Sequence, residues 1–259
     1  MATYSSFECI RSYAIGHVDN TAQLAVDFIA SDPESSPLLQ AAASQSNPLI
    51  IRFQTDLNES EFARYCYANN TIDLNAKLED RTIEQIVPYL LFELNNARQS
   101  SRFKEIDETC GKIGLEETVS QIEQCEYASA SETHRLLQKW IKEGKMPKTS
   151  PFSRILPNFR DHYLYQQISG HSQRIADRYK GQFSTSYQGT WKFVPSKDEI
   201  PILKHLFELK MLHATGEEDE CKLALAQIEK LVEGAKSIVS KRPDSLEARH
   251  FLENVLYAL

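Results

Sequence analysis

A chain of 259 residues, 41% of them hydrophobic, holds enough apolar side chains for one sizeable core, or for a core with a smaller helical appendage. Its formal net charge is −7 and its one basic stretch, residues 139–148, is short, so it lacks the clustered cations that phosphate neutralisation needs and nucleic acid is excluded as a partner. No apolar run approaches the roughly 20 residues that span a bilayer, and the opening MATYSSFECIRSYAIGH has neither the basic start nor the apolar stretch of a secretory signal; the expected location is cytoplasmic, or a host cytosol reached without a classical signal peptide.

In chain order, Asp19 or Asn20 caps a first helix carrying Leu24, Ala25, Phe28 and Ile29 at helical spacing, and Pro33 stops it. Pro37, Leu38 and Leu39 open a second short helix. A β section follows. Leu49, Ile50, Ile51 and Phe53 form a compact β-favouring run after Pro48. Tyr65-Cys66-Tyr67 and Thr71-Ile72-Asp73-Leu74 flank Ala68-Asn69-Asn70, the pattern of a hairpin. Ile83, Ile86, Val87, Leu90, Leu91, Leu94 and Ala97 then make the wide stripe of an amphipathic helix. Pro88 lies inside it, and either kinks the helix or moves its start one turn later. Residues 116–142 read as a further helix through Val119, Ile122, Leu136, Leu137, Trp140 and Ile141. Residues 144–157, with one Gly and three Pro, read as a loop. Residues 160–179 are helical, with Gly170 a candidate break. Residues 183–194 read as a hairpin or extended arm. The last 60 residues are three helices separated at Gly216 and at Arg242-Pro243-Asp244.

The order strand, hairpin strand, helix, helix resembles the layout of the zincin-type zinc peptidases, in outline those of bacterial effector and toxin type. In that family an edge strand leads into a helix with H-E-x-x-H, whose two His bind zinc while the Glu activates water. Here Thr71-Ile72-Asp73-Leu74-Asn75 matches the edge strand, and the helix reads Phe92-Glu93-Leu94-Asn95-Asn96-Ala97. The resemblance puts Phe92 and Asn96 in the two His positions and Glu93 in the catalytic position. In the following helix, Gln121-Ile122-Glu123-Gln124-Cys125-Glu126 resembles the third-ligand segment, with Glu126 the match. It covers residues 35–135, and both metal-binding His are replaced. Phe is no ligand and an Asn amide is a poor one, so the resemblance implies a degenerate member with no tight zinc, no metal site and no cofactor. Glu93 then needs polar partners, Asn96 and Tyr127 being the donors at hand, and Glu126 is expected to approach the same surface. Without that family relation, Glu93 is a solvated residue near a helix end and Asn95 or Asn96 a C-terminal cap.

His162, Tyr163, Gln167 and His171 form a possible pocket, although His162 and His171, nine apart, point to nearly opposite faces if the helix is unbroken. His205 and His213 read as packing residues beside Phe207, Leu209 and Leu212. Cys9, Cys66, Cys110, Cys125 and Cys221 show no C-x-x-C spacing and read as buried thiols of a reducing compartment. Nucleotide-binding and nucleophile-elbow motifs are missing and glycine is scarce. The aromatic group Tyr163, Tyr165, Tyr179, Phe183, Tyr187, Trp191 and Phe193 reads as core or, where exposed, as a protein-binding patch. The expectation is therefore a predominantly helical α+β protein. It has a small sheet with an edge hairpin on zincin-like helices over residues 1–145 and a helical C-terminal region over 146–259. The expected function is that of a catalytically impaired, peptidase-like pseudoenzyme acting through a protein partner. The alternatives are an active hydrolase with a non-standard Glu-based site (Glu93 with Glu126 or His171) and a purely helical scaffold.

Overall fold

The computed structural model describes residues 20–57, 61–183, 193 and 195–259. The chain is predominantly helical with one small sheet, the α+β class read from the sequence. Asp19 and most of residues 183–194 lie outside the described residues.

The chain groups into two compact units whose bounds differ from the 145/146 boundary read from sequence: Met1–Asp107 with Ala128–Ser153, and Glu108–Tyr127 with Arg154–Leu259. The first contains α1 (Asn20–Ser31), α2 (Ser36–Ala43), β1 (Ile50–Gln54), β2 (Ala63–Cys66), β3 (Thr71–Asn75) and α3 (Ile83–Arg98). Two helices, α4 (Ser100–Ile113) and α5 (Leu115–Lys142), begin in one grouping and end in the other. The second unit continues with α6 (Phe159–Ser169), α7 (His171–Tyr179), α8 (Ile200–Thr215), α9 (Glu218–Lys241) and α10 (Leu246–Ala258).

In the first unit the sheet order is β1-β3-β2. β1 runs parallel to β3 with Ile50 opposite Thr71, and β2 runs antiparallel to it with Tyr65 opposite Ile72. The β2–β3 turn closes because Asn70 takes a left-handed conformation (φ 52°), which a short polar side chain tolerates. Its buried amide then donates to the carbonyls of Ala42 and Asn47. Thr71–Asn75 is thus the central strand, buried along its whole length, and not the edge strand that the peptidase resemblance placed there. The pairing decides this: β1 returns alongside β3 and covers it, leaving β2 on the outside.

Helix α3 starts at Ile83, where Gln85 Oε1 accepts the Thr82 N–H, and runs through Pro88 without the later start. Its apolar stripe, Ile86, Val87, Leu90, Leu91, Leu94 and Ala97, is fully buried against α1, α2 and the sheet. Trp140, also fully buried, meets Phe28 edge-on and donates its indole N–H to Asp32. The second unit has its own core, with Leu203, Leu206 and Phe207 of α8 packed with Leu164 and Ile168 of α6, Ala224 of α9 and Val255 of α10. No described helix is long and apolar enough to cross a membrane.

Candidate functional site

The peptidase-like segment of the first unit is a packed and hydrogen-bonded surface. Glu93 is 5% exposed. Its Oε2 accepts the backbone N–H of Tyr65 at 2.9 Å and the Asn96 amide at 3.0 Å. Asn96 is the donor expected from its place one helical turn on. The hydroxyl of Tyr127, the other donor expected, donates to the Leu156 carbonyl at 3.3 Å. The second donor is main-chain because β2 is an edge strand, whose outward N–H groups have no neighbouring strand. Glu93 caps one of them. Phe92 is half-buried and stacks on Phe152 with ring centroids 4.8 Å apart. Asn95 is fully buried, donating to Leu91 O and Thr133 Oγ1, and the helix continues past it to Arg98, so neither Asn95 nor Asn96 ends the helix.

The chemistry-bearing residues of the second unit gather elsewhere. Glu123 and Glu126 are three residues apart on α5 and therefore share one face. Gly170 ends α6 and precedes α7, with φ 81°. That conformation suits a residue without Cβ. It breaks the helix and cancels the opposite-face geometry of His162 and His171, and both reach the same carboxylate. His171 Nδ1 lies 3.0 Å from Glu123 Oε1, and His162 Nε2 lies 3.5 Å from Glu123 Oε2. The Ser172 hydroxyl donates to Glu123 Oε1 at 2.6 Å. On the other side of the His171 ring, Nε2 is 3.5 Å from Glu126 Oε2. Glu123 is fully buried, while the His171 and Glu126 side chains keep 28% and 20% of their surface exposed. The inner end of the cluster is buried and the outer end is partly exposed.

Burial of Glu123 opposes its ionisation, but His162, His171 and Ser172 together outweigh burial and hold its carboxyl well below the usual carboxylate range. Burial pushes the Glu126 carboxyl up, and the charge on Glu123 adds to this. For His171 burial favours the neutral ring, yet the facing carboxylates of Glu126 and Glu123 win and raise it above the ordinary imidazole range. The arrangement can hold a proton between His171 and either carboxylate, or present a nitrogen and carboxylate oxygens to a cation.

Of the four residues expected to line a pocket, Gln167 borders one among the described residues. With Ile168, Ser172, Phe193 and Ile200 it borders a cavity of about 160 Å³. Burial raises the Tyr163 hydroxyl, which lies beside Gln167, and its ring stacks on Phe159. Glu126, matched by resemblance to the third ligand of a peptidase, keeps company with His171 and Glu123, in a different unit from Glu93. Glu123 and Ser172 are the members that sequence reasoning missed. The available signal was the Glu123-x-x-Glu126 pair together with a His-Ser step after a glycine. Cys66, Cys110, Cys125 and Cys221 form no disulfide among the described residues, and two of them are buried; Cys9 lies outside the described residues, as do Tyr187 and Trp191 of the aromatic group. His205 and His213 are both exposed on α8. Comparison with protein-family models, with curated proteins and with solved structures finds no match.

Proposed function

We propose that this chain is a binding protein that performs no peptidase chemistry at α3, and that the helix similar in outline to a zinc-peptidase helix serves as scaffold. The hydrogen bonding of Glu93 carries this reading. A carboxylate that activates water must be turned toward that water, whereas Glu93 is buried and accepts from Tyr65 and Asn96. The choice of a protein as the bound partner is supported by Leu223, Leu225, Leu246, Leu256 and Tyr257, exposed apolar side chains on α9 and α10. Incubation of the purified chain with a peptide library, followed by mass spectrometry, tests the reading. No cleavage above buffer is expected, and Glu93→Gln should leave thermal unfolding nearly unchanged. Cleavage by the parent chain that disappears in a folded Glu93→Gln variant would overturn it.

A second reading, a hydrolase with a Glu-based site, is favoured by the contact of His171 Nε2 with Glu126, which places a base and an acid at an accessible rim. It requires any cleavage to vanish in Glu126→Gln and to survive in Glu93→Gln.

A further inference from the structure

We propose that His171 and Glu126, with Glu123 orienting the histidine ring, form a binding site for one divalent transition-metal ion, with zinc as the favoured occupant. The proposal stands apart from the fate of the peptidase-like helix, because none of its residues lies on α3. One donor atom from each of the three side chains lies within 4.8 Å of the other two. The gap between His171 Nε2 and Glu126 Oε2 is 3.5 Å. That is long for a hydrogen bond, and it matches the roughly 3.4 Å that separates two ligands of a tetrahedral ion bound at about 2.1 Å.

The orientation of the His171 ring is the second argument. Its Nδ1 sits 3.0 Å from Glu123 Oε1. A histidine that binds metal through one nitrogen usually donates the other N–H to a carboxylate, which fixes the tautomer and the aim of the free nitrogen. Here Glu123 supplies that carboxylate, and the Ser172 hydroxyl pins the same oxygen at 2.6 Å. The nitrogen left over lies 3.5 Å from Glu126 Oε2.

The third argument is an unsatisfied atom. Glu123 is 0% exposed, and its Oε2 has no hydrogen-bond partner among the described residues. Nor has the nearest group, His162 Nε2, which is 3.5 Å away. The Oε2–Nε2 pair leaves the inner end of Glu123 weakly satisfied, and positive charge at the His171 end of the same carboxylate offsets its burial. His171 Nε2 and Glu126 Oε2 already stand close to the roughly 3.4 Å that separates two ligands of a tetrahedral ion, and Glu123 needs to move no closer, because it acts through Nδ1. Exposure of Glu126 and His171 also supplies the entry path. An imidazole and a carboxylate, with a second carboxylate behind the ring, suit zinc, iron or manganese better than the thiolate-seeking ions. The exposed cations Arg174 and Arg178 on α7 act electrostatically on His171 and Glu126 and weaken the site without blocking it.

The test uses the full chain, stripped with chelator and dialysed. Zinc is titrated in competition with a chromophoric chelator, and cobalt is used as a spectroscopic probe of the ligand field. Saturable binding of one zinc per chain is expected. His171→Gln and Glu126→Gln should each weaken it at least about tenfold, and Glu123→Gln about tenfold to a hundredfold, the range for a group that orients a ligand. Glu93→Gln should bind as the parent does. The absence of stoichiometric binding with zinc and with manganese would overturn the proposal. So would an affinity unchanged in both His171→Gln and Glu126→Gln, or a loss confined to Glu93→Gln. Should His171→Gln fail to fold by circular dichroism, Glu126→Gln decides, because its side chain sits at the exposed rim. Whether peptides are cleaved is read separately, so failure of this site and failure of the binding-protein reading are distinguishable.

Discussion

Two buried glutamates, Glu93 in the first unit and Glu123 in the second, are surrounded in opposite ways. Glu93 accepts a main-chain N–H and an Asn amide, groups that do not titrate and do not bind metals. Glu123 faces two imidazoles and a hydroxyl, groups that can gain or lose a proton or take a ligand. Burial makes a carboxylate expensive in either place. What differs is the remedy: neutral fixed donors turn a glutamate into a structural part, and titratable partners turn it into a chemical site. Another buried carboxylate, Asp32, lies between these cases, held by the N–H groups of Glu34 and Ser35, the Trp140 indole and the Lys139 ammonium.

The largest expected effect is at Glu123. Replacing it with alanine leaves His171 and Ser172 without their acceptor inside the protein, and should cost about 3 kcal/mol of unfolding free energy in urea titration. Glu93→Ala, which strands one N–H and one amide, should cost less, about 1–2 kcal/mol. The reverse order would break the comparison. Next comes acid. Burial opposes ionisation of Asp32, yet its donors win and lower it from 3.8 to about 2. Its folded pKa is depressed, so its contribution is fully present above about pH 4 and is lost as pH falls through about 2, an effect of roughly 2 kcal/mol. Acid titration of Asp32→Asn beside the parent should show that part of the acid limb flattened. An unchanged limb would remove Asp32 from the set of charged, paired carboxylates.

Gly170→Ala should cost about 1–2 kcal/mol, because alanine resists the left-handed backbone at φ 81°. Chemical denaturation measures it, and a neutral result would mean that the break between α6 and α7 does not depend on glycine. The smallest effect is Glu93→Gln, expected within about 1 kcal/mol because the amide oxygen still accepts from Tyr65 and Asn96. Glu123→Gln should be clearly worse by the same thermal assay. Equal losses would erase the distinction between the two glutamates.

Residue type and spacing alone determined the helical character of this protein, the β2–β3 hairpin, the stop before Pro33 and the three C-terminal helices, because periodic apolar stripes, proline and glycine act over a few residues. The polar partner of Glu93 at Asn96 was equally legible, since three residues on a helix are neighbours wherever the helix lies. Tertiary structure decided the rest. That Thr71–Asn75 is a central strand depends on β1, some twenty residues earlier, pairing beside it. The second donor to Glu93 is a main-chain N–H of β2, and a backbone group carries no mark in the sequence. The convergence of His162, His171 and Ser172 on Glu123 needed both the turn at Gly170 and the packing of α6 and α7 against α5 across roughly forty to fifty residues of chain. Local spacing does not encode such meetings, because side chains distant in sequence share a site only where the core has brought their helices together.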